Sequence, residues 1–147
     1  MLQTARIPPN RHLPLTYNQM FGYLFGLVYL SVGAAGFAAT KGINLTATVG
    51  GRELHWFSVN PLHNFAHLAV GGLLMFSAFA GPKASRGVNL IVGSVYLLLA
   101  IAGPIVTGSS ANILSLNLSD DLLHLATALL AIGTAVVLGA RDELQPA

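Results

Sequence analysis

NPLHNFAHLAVGGLLMFSAFAG, residues 60–81, decides how the whole chain is read. Asn60 is a favoured helix N-cap residue, and Pro61 suits the first helical position, where a missing N–H costs nothing. From Phe65 to Gly81 the chain is apolar, with no Lys, Arg, Asp or Glu, and Gly81-Pro82 ends the run. A bilayer core of about 30 Å takes roughly 20 helical residues to cross. Residues 60–64, continued as helix, bring the run to that length. The stretch therefore predicts a membrane-spanning helix that opens on a polar cap.

Working outward, three more runs share these properties, at about 21–40, 88–107 and 122–140, again without a charged residue. Pro104 lies near the end of one of them, and neighbouring helices can satisfy the backbone groups it frees. The chain has 147 residues, 54% hydrophobic and 8% charged, where a soluble domain carries about 25% charged residues. Such a composition excludes an ordinary soluble enzyme and also disorder, which requires low hydrophobicity and high net charge. With no cysteine, disulfides, thiolate metal sites and cysteine nucleophiles are excluded. The net charge of +2 is not gathered into a basic patch, so nucleic acid is not an expected partner. Arg6 and Arg11 resemble the start of a signal peptide, but an apolar core of about 20 residues exceeds the usual 7–15, so the first run is read as a retained span.

Residues 41–59 read as a loop with a Gly50-Gly51 turn, and Leu54-His55-Trp56-Phe57 as an anchor at headgroup depth. Residues 82–86 read as a tight hairpin, and 108–116 as a short, uncharged, Ser-rich loop. The tails, 1–16 and 141–147, are expected at the surface. Arg6, Arg11, Lys83, Arg86 and Arg141 fall on one side of the membrane and Lys41 and Arg52 on the other. The positive-inside rule then places both termini in the cytoplasm.

The chain also resembles itself. Gly26-Leu27-Val28-Tyr29-Leu30 recurs as Gly93-Ser94-Val95-Tyr96-Leu97, with Gly36 and Gly103 at the same spacing beyond. Asn60-Pro61-Leu62-His63-Asn64-Phe65-Ala66-His67-Leu68-Ala69 recurs as Asn117-Leu118-Ser119-Asp120-Asp121-Leu122-Leu123-His124-Leu125-Ala126. The order is preserved, so the expectation is an all-α integral membrane protein of four transmembrane helices, built from two parallel two-helix repeats at about 17–81 and 86–140. Parallel repeats put both polar motifs at one membrane face. The doubled motif, over roughly 17–140, resembles the small bacterial four-helix membrane proteins of the domain of unknown function 4383 family. That resemblance implies a four-span protein of a bacterial cell or intracytoplasmic membrane and no activity. Asp121, standing where the first motif has Asn64, departs from the motif.

Helix capping accounts for Asn60, Pro61, Asn117 and Asp120, the last close to a capping-box arrangement. His67 and His124 lie about 10 Å into their helices, where an imidazole must face the bundle interior or water. Residues at i, i+3 and i+4 share a face, so His63, Asn64, His67 and Gly71 form one stripe, and Asp120, Asp121, His124 and Ala128 its counterpart. Three readings stay open. The histidines hydrogen-bond between helices, with Tyr29, Tyr96 or loop carbonyls as partners. Alternatively, His63, His67, Asp120 and His124 hold zinc or copper, or His67 and His124 ligate a haem or a chlorophyll-type pigment. In the third, the cluster starts a proton or ion path that continues through Tyr29, Tyr96, Thr127 and Thr134.

No phosphate loop, nucleophile triad or separated carboxylate pair is present, so no enzymatic activity is expected. Glycine- and phenylalanine-rich faces beyond the needs of one bundle (Gly22, Gly26, Gly33, Gly36, Gly71 and Gly72, with Phe76 and Phe79) favour an accessory or scaffold subunit, partnered by lipid and other membrane subunits. A His-based haem, pigment or metal-binding protein is the alternative, and a small channel or transporter the third.

Overall fold

The computed structural model describes residues 15–48, 52–54 and 56–139. The Gly50-Gly51 turn, His55, and residues 1–14 and 140–147 with the basic residues Arg6, Arg11 and Arg141 lie outside them. Four helices carry the fold: α1 (Tyr17–Ala39), α2 (Pro61–Ala80), α3 (Pro82–Val106) and α4 (Leu118–Gly133), which runs on as a π-helical turn, Thr134–Leu138. Each is long and apolar enough to cross a membrane, and between 28% and 39% of each span is buried inside the bundle. Many of the remaining Leu, Ile, Val and Phe side chains point outward, as in Leu24, Phe76, Leu98 and Ile105. This is an all-α multi-pass membrane protein.

The helix starts follow their local chemistry. Thr16 accepts from the backbone N–H of Gln19, whose side chain accepts from the N–H of Thr16, closing a capping box. The Asn60 side chain accepts from His63 N at 2.8 Å, with Pro61 in the first turn. Asn117 accepts from Ser119 N and Asp120 N while the Asp120 carboxylate accepts from Asn117 N at 3.1 Å, a second capping box.

Two connections differ from expectation. The hairpin expected at 82–86 is a single residue, Gly81, at φ +117° and ψ −179°. Lys83 and Arg86 look like loop residues by their charge, yet they belong to the first turns of α3. Arg86 uses its Nε to donate to the Ala135 carbonyl at 3.0 Å, in the π-helical turn of α4. Within the 41–59 loop, β1 (Arg52–Leu54) and β2 (Phe57–Val59) form a small antiparallel ribbon pairing Arg52 with Val59 and Leu54 with Phe57. At its turn Trp56 is 80% exposed, as an interfacial anchor requires.

Helix α1 packs chiefly on α2, and α3 on α4. Lipid tails are as apolar as leucine, so these contacts rest on close packing rather than on water expulsion. Glycines allow that closeness. A Cβ on Gly22 would stand 2.9 Å from the Leu74 carbonyl oxygen, and one on Gly26 3.0 Å from that of Gly71. Gly33, Gly36 and Gly93 are likewise closed in by the partner helix, so most of the glycine face is used inside the bundle. Gly72 is different, with open space before it. Phe21, Tyr29, Leu74, Val92, Tyr96, Ala128 and Ala131 form the buried apolar centre.

Candidate metal centre

The two polar motifs meet at one end of the bundle. Asn60 donates from Nδ2 to the Ile113 carbonyl at 2.8 Å, and Asn117 donates to the Trp56 carbonyl at 2.9 Å. The 41–59 and 107–117 connections thus join above the N-termini of α2 and α4. Ser58 and Ser115 share a hydroxyl hydrogen bond of 2.9 Å, and Val59 and Leu116 are buried beside it. Ser115 holds φ +58°, a left-handed conformation unusual for a residue other than glycine. Its hydroxyl, which glycine lacks, makes the bond to Ser58. Together these segments form a lid.

Under the lid lie His63, His67 and His124, 2%, 5% and 3% exposed. One ring nitrogen from each lies within 4.8 Å of the others. Ring centroids are 4.5 Å apart for His63 and His67, and 6.1 Å for His63 and His124. The Nδ1 atoms of all three are buried without a hydrogen-bond partner. Most buried polar atoms in folded proteins are paired, so three unpaired imidazole nitrogens in one cluster require an explanation. Backbone groups of Leu114 and Ser58 hydrogen-bond the His63 imidazole, leaving its Nδ1 unused. Metal-binding histidines commonly donate their other ring N–H to a carbonyl in this way.

Two tyrosines form the floor. Tyr29 packs on His67 with centroids 5.3 Å apart, Tyr96 on His124 at 4.9 Å, and the two tyrosine rings meet edge to face at 5.5 Å. The Tyr29 hydroxyl bonds Thr127 Oγ1 at 2.9 Å rather than an imidazole. Beneath them Leu74, Ala128 and Ala131 are fully buried. Tyr29 and Tyr96 thus pack directly on the two imidazoles expected as axial ligands of a haem or pigment.

Of the four residues expected as ligands, the fold gathers His63, His67 and His124 and places Asp120 elsewhere. The Asp120 carboxylate caps α4 through Asn117 N and also accepts from the backbone of Ser58. Asp121 and Asn64 leave the histidine stripe for a different task. A Cβ on Gly36 would fall on the Asn64 carboxamide, and one on Gly103 on the Asp121 carboxylate. Each polar group thus lies flat against a glycine of the neighbouring helix. Ser58, Leu114 and Ser115 had no mark in the sequence, since a Ser-rich loop with no repeated motif reads as an ordinary connection.

A bundle of four spanning helices with a lidded histidine cluster defines the class. The chain matches the family described as Domain of unknown function (DUF4383) over residues 19–137, and it belongs to that family. No curated protein and no solved structure matches it.

Proposed function

We propose that this protein is a non-enzymatic membrane protein that holds one transition-metal ion in the His63, His67 and His124 triad. The observation that carries the reading is the convergence of three buried imidazoles whose Nδ1 atoms have no hydrogen-bond partner. Inter-helix or loop hydrogen bonding would occupy one nitrogen of each ring, as at His63, and leaves the unpaired Nδ1 atoms without a role. An ion with bonds of about 2.0–2.1 Å sets its nitrogens about 3.4 Å apart, so nitrogens now within 4.8 Å of one another close by up to about 1.4 Å on binding. Rotation about the side-chain torsions supplies that movement. A conduit is less well supported, since Leu74, Val92, Ala128 and Ala131 close the interior below the tyrosines.

Elemental analysis of the chain purified in mild detergent tests the reading. One metal per chain is expected, lost in a His67→Ala, His124→Ala double variant that elutes as the native protein does. A folded, metal-free protein that cannot be loaded would end it.

Two further readings belong with this one. The chain is a duplicated helical hairpin, supported by the matched buried sets His63, Asn64, His67, Gly71, Leu74 in α2 and Asp120, Asp121, His124, Ala128, Ala131 in α4. Both termini lie in the cytoplasm, so the lid faces the opposite side. An accessory-subunit role is the second functional proposal, favoured by Gly72 facing open space beside the exposed Phe76. Native electrophoresis in mild detergent decides it, and a monodisperse monomer with no co-purifying subunit counts against it.

A further inference from the structure

The ligand set carries information about the ion itself. Among the described residues, every ligand gathered under the lid is an imidazole, which binds metals in its neutral form. Among the described residues, the carboxylates at this end stand apart from the triad: Asp120 caps α4, and Asp121 lies against Gly103. There is no cysteine in the chain. An ion bound here therefore brings its full charge into a site whose ligands are 2–5% exposed. The penalty for moving an ion out of water grows with the square of its charge, so a divalent ion pays about four times as much as a monovalent one. Zinc in addition favours four ligands, the fourth usually a water in sites with three protein ligands. The lid, sealed by the Ser58–Ser115 bond and buried Val59 and Leu116, stands where water would have to enter.

Tyr29 and Tyr96 sharpen the preference. Their rings lie in tilted contact with His67 and His124, so aromatic surface forms the far side of the site, and the Tyr29 hydroxyl is taken by Thr127. Aromatic faces favour a cation without demanding coordination. Hard divalent ions such as magnesium and calcium need several oxygen ligands, which this site does not offer. We infer that the triad is a site for a monovalent, three-coordinate transition-metal ion, and that this ion is copper(I). The inference rests on the metal-binding reading and adds the oxidation state and the coordination number to it.

The test uses the full chain in detergent, stripped by a chelator and kept anaerobic. It is titrated with copper(I) against a chromogenic copper(I) chelator, and in parallel with zinc(II). The expected result is one copper(I) per chain, held against the competitor, with X-ray absorption showing three nitrogen neighbours. Zinc is expected to bind at least tenfold more weakly. His67→Gln and His124→Gln, which keep side-chain bulk, are each expected to lose the copper while eluting and unfolding as the native chain does. If those variants unfold, His63→Gln, at the lid edge of the site, is read in their place. Zinc bound one per chain more tightly than copper(I), and lost in the same variants, overturns the copper inference and leaves the metal centre standing. Neither ion held by the native chain, or copper held equally by the glutamine variants, overturns both.

Discussion

Asn64 and Asp121 do one job with two different groups. Each lies on a glycine of the adjacent helix, Gly36 and Gly103, and each has a buried Oδ1 with no hydrogen-bond partner. Asn64 at least donates from Nδ2 to Thr40 Oγ1 at 3.0 Å. A carboxylate in the same surroundings has no donor of its own when ionised, and a lone charge in an apolar interior is costly. Asp121→Asn is therefore expected to fold and to raise thermal stability in detergent by roughly 1–2 kcal/mol, the scale of a relieved buried polar group. Gly103→Ala is expected to act the other way, costing about 1–3 kcal/mol through overpacking. A large loss on Asp121→Asn would mean that the carboxylate has a role Asn64 does not share. The stripe of His63, Asn64 and His67 was legible in the spacing, because i, i+3 and i+4 residues share a helix face. Which polar residues turn to ligand geometry was not. Asp120 sits one turn before His124 as His63 sits before His67, yet an available N–H at Asn117 takes its carboxylate. Spacing places a residue on a face, and the competing local partner decides what its side chain does there.

The elements were readable where caps and apolar length agreed, as in α2 and α4, whose starts at Asn60 and Asn117 follow from side-chain capping. They were less readable where charge suggested a loop. Lys83 and Arg86 mark the start of α3, and the only residue outside a helix at that corner is Gly81. Its φ of +117° and ψ of −179° belong to a region open essentially to glycine alone. Local bonds then hold the corner: Ser85 Oγ donates to the Ser77 and Gly81 carbonyls, and Ser77 Oγ to that of Leu74. Because a one-residue connection cannot pass its strain along a loop, Gly81→Ala is expected to cost about 1–3 kcal/mol. Thermal unfolding in detergent checks this. A neutral result would show that the helix ends re-register around the new side chain. The ribbon of β1 and β2 and the π-helical turn of α4 had no sequence mark. Three-residue strands are too short for an alternating pattern, and a π turn differs from an α-helix by one residue per turn, within the tolerance of any apolar run.

At the scale of the whole molecule, the lid, the histidines and the tyrosines lie towards one end, and Gly81, Ser77, Ser85 and the Asn18–Asn89 hydrogen bond towards the other. Which end faces the cytoplasm determines the compartment from which an ion reaches the triad. Lys83 and Arg86 lie at the Gly81 end and Lys41 and Arg52 at the lid end, and Arg6, Arg11 and Arg141 of the two tails add to the Gly81 side. Positive charge is retained on the cytoplasmic side, so the Gly81 end is expected inside and the lid outside. The chain contains no cysteine, so a single introduced thiol reports its own side of the membrane without background. Ser110 and Lys83 are both exposed and sit at opposite ends. In intact cells, Ser110→Cys is expected to react with a membrane-impermeant maleimide and Lys83→Cys only after permeabilisation. The reverse pattern would invert the protein and place the metal centre on the cytoplasmic side. With the expected pattern, prior loading with metal should leave labelling at Ser110→Cys intact if the lid stays closed over the ion, because this residue lies on the outer surface of the lid. The thiol thus reads orientation separately from occupancy, and the result assigns the ion's side of entry without depending on which ion binds.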